Sequence, residues 1–328
     1  MKNYTELTNE QARQAIDVAQ TFRGWREAAT QIWNGHNGRY VAPMFWRKGA
    51  GGREYLVERV LNYRKHHGPR SPQTEALFAT YSAERNRIVE RMQSTRSRME
   101  QMAPVNRALG LGRMPTLTAD ILRQLDQHGF LGTKIAIVGT NALYAYEAKC
   151  GVHIHSPLME TTDADRLWDA RERLTLAIEK MPPPAVLALL RKADASFDAS
   201  RQYGLSAENK DGFIVELLTV DTGNLEATGL DGDLTVNPMV GMEALLSLPR
   251  FEAVAIDRRG MPLRIVAPEI RAFALLKEWV SKQPGRPPEK RRRDRDQAKV
   301  LRELATKELG LAFDAKLLRE VPEYLTRP

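Results

Sequence analysis

The chain has 328 residues, of which 27% are charged, and a formal net charge of +8. A chain of this length can bury a substantial core and is long enough for two or three structural units. It contains no signal-peptide pattern and no run approaching the roughly 20 apolar residues of a membrane span, so we expect a cytoplasmic protein without a membrane partner. Its single cysteine, Cys150, excludes an intrachain disulfide and fits a reducing compartment.

The positive charge is concentrated in the N-terminal third of the chain. Residues 1–110 contain 18 Lys/Arg and 10 Asp/Glu, whereas residues 111–328 contain 31 of each. This asymmetry favours an acidic partner for the N-terminal helices, with nucleic acid as the leading candidate. The alternative is a solvated helical face, which would have the same composition.

The first 65 residues are predicted to be mainly helical. Apolar positions at helical spacing predict a helix over residues 5–33, with Thr8 as its cap. The stretch Asn34–Gly52 is predicted to be a loop, whose aromatic residues either anchor it to the core or stack on bases. These aromatic residues are Tyr40, Phe45 and Trp46. Residues Glu54–Lys65 are predicted to form a second helix.

A long basic helix follows a break at His67–Pro72. The helix is predicted to start at Ser71 or Pro72, to reach Met102, and to form one arm of an antiparallel helix pair. Its outward-facing arginines are expected to be Arg85, Arg87, Arg91, Arg96 and Arg98. The segment Pro104–Pro115 is predicted to join this region to the rest of the chain.

The next stretch predicts a helix, a strand, a turn and a second helix. Thr118–Gln127 is predicted to be a helix capped by its first residue, and the apolar run 135–138 predicts a strand. Gly139 and Thr140 form a turn signal directly after this strand. Asn141 is the predicted cap of the following helix.

Two aspartates then alternate on a predicted strand. Asp163 and Asp165 point to the same face of a strand because side chains alternate at period two. Carboxylates so placed suit a shared hard cation such as Mg²⁺, which takes oxygen ligands. Cys150 lies near His153 and His155, which raises zinc or thiol chemistry, but one Cys and two His on a loop make a poor metal site.

Two hairpins are predicted downstream of a short apolar helix, Ala185–Lys192. The first pairs Tyr203–Ser206 with Phe213–Thr219, and the second pairs Phe251–Ile256 with Leu263–Val266. Glu216 lies among apolar residues in the first hairpin, and a lone acid there needs a reason to be buried. A salt bridge is one such reason.

The C-terminal region begins at Pro268. Its first helix contains Lys277, a basic loop covers Gln283–Lys290, and Arg291 opens a final helix. Lys277 and the arginine run that includes Arg293 complement phosphate charge. The alternative for the arginine run is a surface patch that keeps the protein soluble.

The order of these motifs resembles the DNA polymerase β-type nucleotidyltransferase superfamily, in which an apolar strand, a Gly-Thr turn, a helix and Asp-x-Asp follow one another. More narrowly, the chain resembles a little-characterised bacterial branch of nucleotidyltransferase-fold proteins. The turn motif of that branch is matched by Gly139, Thr140, Ala142, Leu143, Ala145, Tyr146 and Glu147. Its C-terminal motif is matched by Lys277, Arg293, Asp294, Gln297 and Ala298.

The resemblance implies an α+β fold, with a polymerase β-like core of a mixed sheet and flanking helices. The chain is divided accordingly into a basic helical region at residues 1–110, the core at residues 111–267 and a C-terminal helical region at residues 268–328.

The resemblance also implies an enzyme that moves a nucleoside monophosphate from a nucleoside triphosphate to an acceptor, which is RNA, protein or a small molecule. Asp163, Asp165 and Glu216 would be its catalytic residues, with Glu216 as the third carboxylate, and would hold Mg²⁺ or Mn²⁺. The nucleotide is expected to contact Gly139, Thr140, Asn141, Lys277 and Arg293.

Three features depart from the superfamily pattern. The gap between Thr140 and Asp163 is longer than usual, Arg166 replaces an apolar residue, and Glu216 stands where most relatives have Asp. These departures keep open an alternative in which the fold is retained and catalysis is weak. The protein would then bind nucleic acid or a protein partner, for example as a toxin–antitoxin component.

Overall fold

The computed structural model describes residues 2–33, 44–60, 63–159, 173–178, 183–199, 206–220 and 237–326. The chain forms two compact units, which are considered separately. The sheet unit contains residues 1–13, 110–259 and 263–328, and the basic unit contains residues 14–109 and 260–262. The helices after residue 268 therefore fall in the same compact unit as the central sheet. In the described part of the chain, no helix is both long and apolar enough to cross a membrane.

The basic unit combines two long helices with a three-stranded antiparallel sheet in the order β2-β3-β4. Its elements are α1 (Asn9–Trp33, which starts in the sheet unit), β2 (Met44–Lys48), β3 (Glu54–Val60), β4 (Tyr63–Pro69) and α2 (Pro72–Ala108). The helix predicted over Glu54–Lys65 is wrong, because this segment forms β3 and the start of β4. Aromatic and β-branched residues such as Tyr55 and Val57 favour the pleated surface, and the antiparallel pairing satisfies the backbone. Phe45 and Trp46, predicted to lie in a loop, are on β2, whereas Tyr40 is outside the described residues.

The two helices of the basic unit are antiparallel, as predicted. Gln14 donates to Asn106 at 2.8 Å, and Arg91 pairs with Glu27 at 2.9 Å, so rising numbers on one helix meet falling numbers on the other. The five predicted arginines of α2 are all exposed. The side chain of Ser71 caps α2 by accepting from the N–H of Thr74.

Two helix ends differ from the predictions. The first helix begins at Asn9, where Thr8 caps it by accepting from the N–H of Gln11, because residues Tyr4–Glu6 form strand β1 instead. Helix α2 runs past Met102 to Ala108. Pro104 is accommodated close to the end of this helix, where its ring removes a single backbone bond.

The sheet unit is built around a mixed sheet with strand order β5-β7-β10-β9-β8, with β11 also paired to β10. Its strands are β1 (Tyr4–Glu6), β5 (Ile135–Val138), β6 (Val152–Ile154), β7 (Arg173–Ile178), β8 (Asp198–Ala199), β9 (Ser206–Glu208), β10 (Ile214–Val220), β11 (Asn237–Met239), β12 (Phe251–Ile256) and β13 (Pro262–Ala267). Its helices are α3 (Thr116–Gln127), α4 (Leu143–Cys150), α5 (Ser156–Met159), α6 (Pro183–Ala193), α7 (Met242–Ser247), α8 (Ile270–Ser281), α9 (Pro288–Glu303) and α10 (Ala315–Glu320). The α+β class with a mixed sheet is confirmed.

The strand directions bring the end of β5 close to the starts of β7 and β10. Strand β5 is antiparallel to β7, and β7 is parallel to β10. The C-terminal end of β5 therefore lies beside the N-terminal ends of β7 and β10. All four residues of β5 are buried, so the strand is fixed from both faces. The hairpins β9–β10 and β12–β13 are confirmed as predicted pairings, although residues 203–205 of the first lie outside the described residues.

Two helix starts in the sheet unit, those of α3 and α9, also differ from the predictions. Helix α3 begins at Thr116, so Thr118 is buried inside the helix and does not cap it. Helix α8 is capped by Glu269, whose carboxylate accepts two backbone N–H groups. Helix α9 begins at Pro288, three residues before Arg291, because proline fits the first turn of a helix, and it is followed by α10.

Candidate functional site

The turn after β5 requires glycine for two reasons. Gly139 has φ 68° and ψ −157°, a conformation that side chains strongly disfavour. A Cβ at this position would lie 3.2 Å from Oγ1 of Thr175 on β7. The chain then passes through a 3-10 turn, Thr140–Ala142, into α4. Gly139 is therefore held against β7 in a backbone conformation that favours glycine.

Asn141 anchors the turn and does not cap a helix. It sits inside the 3-10 turn, and its side chain makes no capping bond, so the predicted cap is wrong. Instead its Nδ2 donates to the backbone oxygen of Arg173 at 2.7 Å. This bond fixes the first residue of β7 to the Gly-Thr turn.

A polar row crosses the sheet beside the turn. Thr175 on β7 lies opposite Val138 on β5, Glu216 on β10 lies opposite Thr175, and Ser206 on β9 lies opposite Glu216. Residues opposite each other in neighbouring strands point to the same face. Thr175, Glu216 and Ser206 therefore share one face, and the row begins at Val138, the residue before Gly139.

Glu216 is ion-paired at this face. Its carboxylate accepts from Nη1 of Arg173 at 2.9 Å and from the hydroxyl of Thr175 at 3.4 Å. About a third of its side chain, 34%, is exposed. The salt bridge considered for this residue is thus present.

Ser206 belongs to this row but was not among the predicted site residues. It is buried, and its hydroxyl has no hydrogen-bond partner within the described ranges. Strand alternation could have placed it opposite Glu216 once the hairpin register was known.

Gln297 on α9 connects three parts of the site. It is completely buried, and its Nε2 donates to Oγ1 of Thr140 at 3.2 Å and to the backbone oxygen of Leu158 at 2.7 Å. Leu158 lies on α5, immediately before residues 160–172. The C-terminal motif noted in the sequence therefore contacts the Gly-Thr turn directly.

Lys277 is part of a buried ion-pair cluster. Its Nζ lies 2.8 Å from Asp294, whose second oxygen is 2.6 Å from Nη2 of Arg286. Burial lowers the pKa of Lys277, and the nearby charges of Arg286 and Arg293 act in the same direction. Burial opposes ionisation of Asp294, but its two cationic partners outweigh this and lower its pKa. Asp294 precedes Gln297 by three residues on α9, so the two side chains lie on the same face of the helix, about one turn apart.

The predicted Asp-x-Asp pair cannot be placed. Asp163 and Asp165, with Arg166, lie outside the described residues. The described residues on either side, Met159 and Arg173, belong to elements that contact the turn through Gln297 and Asn141. Among the residues that are described, no group of three or more His, Cys, Asp and Glu side chains could hold a metal ion.

Two other titratable groups lie at the far end of α4. Burial raises the pKa of the Cys150 thiol to about 12, so it is not a reactive thiolate. Burial also raises the pKa of Glu147 to about 8, although Arg113 and the N–H of Ile154 favour its charged form. A cavity of about 910 Å³ also opens at this end of the helix, lined by Lys149, and is therefore remote from Gly139.

A family model described as nucleotidyltransferase matches residues 116–321, which is more than half of the chain. The chain belongs to this nucleotidyltransferase family. The matched region runs from α3 to the end of α10 and includes every predicted site residue. No curated protein and no solved structure matches the chain.

Proposed function

We propose that this protein transfers a nucleoside monophosphate from a nucleoside triphosphate to an acceptor hydroxyl, and that its sheet unit has a polymerase β-like core. The observation that carries the proposal is the placement of Glu216 directly opposite Thr175, which itself lies opposite Val138, the residue before the Gly-Thr turn. A helix-opening turn beside a strand carboxylate is suited to bind phosphate and a divalent cation together. Family membership supports the reaction class.

The turn supplies the phosphate-binding groups. Gly139 adopts the positive φ with which the chain turns from β5 into the Thr140–Ala142 turn, and the triphosphate would lie against the backbone of that turn. The first N–H groups of the turn, from Thr140 and Asn141, have no partner inside a helix and carry the positive end of its dipole. The hydroxyl of Thr140 accepts from Gln297, which leaves its own proton available to a phosphate oxygen.

The buried ion-pair cluster of Lys277, Asp294 and Arg286, together with Arg293, contributes positive potential on the α9 side of the turn. Lys277 already pairs with Asp294, so its role in the proposal is to hold α9 in place and to add charge at short range. Arg293 precedes Asp294 on the same helix and is the proposed direct contact to the triphosphate. Arginine suits this role because its guanidinium binds phosphate oxygens in pairs.

Asp163, Asp165 and Glu216 are the proposed ligands of Mg²⁺ or Mn²⁺. The residues around Glu216 fit such an ion, because the neighbouring groups of Thr175 and Ser206 are hydroxyl oxygens, which hard cations accept. When bound, the ion would neutralise triphosphate charge and activate the acceptor hydroxyl. Arg173 competes with the metal ion for the Glu216 carboxylate. Glu216 would therefore leave its ion pair with Arg173 when it binds the metal.

The test is transfer of label from each of the four nucleoside triphosphates to total RNA and total protein in the presence of Mg²⁺. Asp163→Asn combined with Asp165→Asn, and separately Glu216→Gln, should each lower transfer by about 100-fold or more. Asp211→Asn removes an exposed carboxylate from the β9–β10 turn and should leave transfer unchanged. Equal activity in all these variants would show that the carboxylates do not serve the reaction.

A binding module with weak catalysis, including a toxin–antitoxin component, is the second candidate. The Arg173–Glu216 ion pair favours it, because it gives Glu216 a structural partner without any metal. Arg173→Met should then destabilise the protein as much as Glu216→Gln, and the double variant should be no worse than either. If the protein is instead an active nucleotidyltransferase, Arg173→Met leaves the Glu216 carboxylate free for the metal and preserves Mg²⁺-dependent transfer.

A further inference from the structure

The net charge of the chain resides entirely in the basic unit. This unit contains 16 Lys/Arg against 8 Asp/Glu, whereas the sheet unit contains 33 of each. Of the 16 cationic residues, 14 are arginine. Arginine binds phosphate through a planar fork of donors, which a lysine cannot reproduce.

The three-stranded sheet has two chemically different faces. One face packs on α2, where Trp46 meets Phe78 with ring centroids 5.7 Å apart. Both acidic residues of the three strands are on this face. Glu54 pairs with Arg70, and Glu58 contacts His67 at 2.8 Å. The negative charge of the sheet is therefore neutralised on the α2 side.

The opposite face carries only basic, aromatic and apolar side chains. Strand register places seven residues from the centre of the strands on it, and this set is named the arginine face: Phe45, Arg47, Tyr55, Val57, Arg59, Arg64 and His66. Val57 is buried at its centre, and Arg47, Arg59, Arg64 and His66 are exposed around it. No carboxylate of the described residues pairs with Arg47, Arg59 or Arg64.

Two of these arginines are placed against each other. Arg59 on β3 lies directly opposite Arg64 on β4. Like charges at directly opposed positions destabilise an antiparallel pair. An anion between them would convert this repulsion into two charge-assisted hydrogen bonds. The arginine face thus contains an unfavourable arrangement that a polyanion would relieve.

Half-buried aromatic side chains share the face with these cations. Phe45 and Arg47 are neighbours on one edge strand, and Tyr55 lies opposite Arg47. Sheet faces that combine aromatic rings with cations bind single-stranded nucleic acid by stacking on bases and pairing with phosphates.

We propose that the arginine face is a binding site for single-stranded nucleic acid, with Phe45 as a stacking platform and Arg47, Arg59 and Arg64 as phosphate contacts. The proposal goes beyond nucleotidyl transfer and does not depend on it, because binding is measured without a nucleoside triphosphate. The sequence-based expectation assigned nucleic-acid binding to the N-terminal helices and left base stacking by Phe45 open, whereas the strand register places Phe45 and three arginines on one sheet face.

The test is fluorescence anisotropy of the full chain with short, mixed-sequence, single-stranded RNA and DNA oligonucleotides over a range of salt concentrations. Three phosphate contacts predict a salt slope of about −2, since each contributes about 0.7 for single strands. The triple variant Arg47→Gln, Arg59→Gln, Arg64→Gln should remove most of this slope and weaken binding at least about tenfold at low salt. Phe45→Leu keeps an apolar side chain without the ring and should weaken binding about tenfold.

The control removes the same charge from the same unit. Arg85→Gln, Arg96→Gln, Arg98→Gln changes three exposed arginines of α2 and should alter affinity less than threefold. Circular dichroism and thermal melting establish that each variant is folded. The arginine-face triple should melt no lower than the native chain, because it removes the repulsion between Arg59 and Arg64.

Four results would overturn the proposal. These are no binding by the native chain, equal loss in both triple variants, equal affinity for duplex and single strands with no effect of Phe45→Leu, and equal affinity for polyglutamate. The last result would identify the surface as a general anion binder. The comparison of RNA with DNA shows which of the two nucleic acids the arginine face prefers. A preference for either one supports the proposal.

Discussion

Replacing Gly139 by alanine should destabilise the sheet unit strongly. The backbone at this residue has φ 68° and ψ −157°, a region whose occupation costs a residue with a side chain about 1–3 kcal/mol. The added Cβ would also lie 3.2 Å from Oγ1 and 3.4 Å from Cβ of Thr175 on a buried strand. Together these effects predict a loss of about 2–3 kcal/mol, or a melting temperature lower by roughly 4–12 °C for a unit of this size.

The matched comparison is Gly151→Ala. Gly151 also has positive φ, but its ψ of 44° places it in the left-handed helical region, and a Cβ there would meet no atom within 4 Å. This substitution should cost only about 1 kcal/mol. Thermal melting of both variants, and of Gly139→Ala combined with Thr175→Ala, separates the two causes. The second substitution removes the contact to Oγ1 and should restore part of the stability. Equal losses for Gly139→Ala and Gly151→Ala would refute the reasoning.

Three further predictions concern the buried polar groups. Asp294→Asn leaves Lys277 buried without a carboxylate and should cost about 3 kcal/mol in a urea titration. Asp296→Asn, at a half-exposed position 3.9 Å from Arg292, should change stability by less than about 0.5 kcal/mol. The folded-state pKa of Glu147 is raised to about 8, so the folded state binds the proton more tightly and stability should fall as pH rises from about 5 to about 8. Glu147→Gln should remove this pH dependence, and an unchanged slope would show that the group is ionised throughout. Gln297→Leu leaves two buried acceptors without their donor, so it should cost about 1–3 kcal/mol and weaken nucleoside triphosphate binding, which calorimetry would measure.

Local patterns predicted the elements around the Gly-Thr turn well. The apolar run at residues 135–138, the glycine after it and the hairpin containing Glu216 depend on turn chemistry and side-chain alternation within a few residues. These signals are strong because β5 is buried on both faces and must be wholly apolar. The lone acid in β10 was also recognisable, since an apolar strand does not tolerate a charge without a partner.

The contacts that assemble the site could not be predicted in the same way. Gln297 meets Thr140 across 157 positions of the chain, and no local pattern encodes such a pairing. Ser206 reaches the polar row only through the hairpin register, which sets its position opposite Glu216. The pairing of Arg173 with Glu216 likewise depends on two strands that are parallel and far apart in sequence.

The wrong prediction for Glu54–Lys65 has a specific cause. The apolar residues Leu56, Val57, Val60 and Leu61 also recur at the three- and four-residue spacing of a helix, so the sequence pattern fits a helix over this short window. Tyr55 and Val57 favour strands, and pairing with β2 and β4 settled the outcome. The error also affects the arginines of this segment. Arg59 and Arg64 would point in different directions on a helix, whereas in the sheet they share one face with Arg47.

The most direct test of the central claim compares nucleoside triphosphates labelled in the α-phosphate with the same nucleotides labelled in the γ-phosphate. Each is incubated with the native chain, Mg²⁺ and cell-derived RNA, protein and small molecules. The account predicts that only the α-label reaches an acceptor, that pyrophosphate carries the γ-label away, and that Glu216→Gln abolishes both. Transfer of the γ-label to an acceptor, or undiminished transfer by Glu216→Gln, would contradict it.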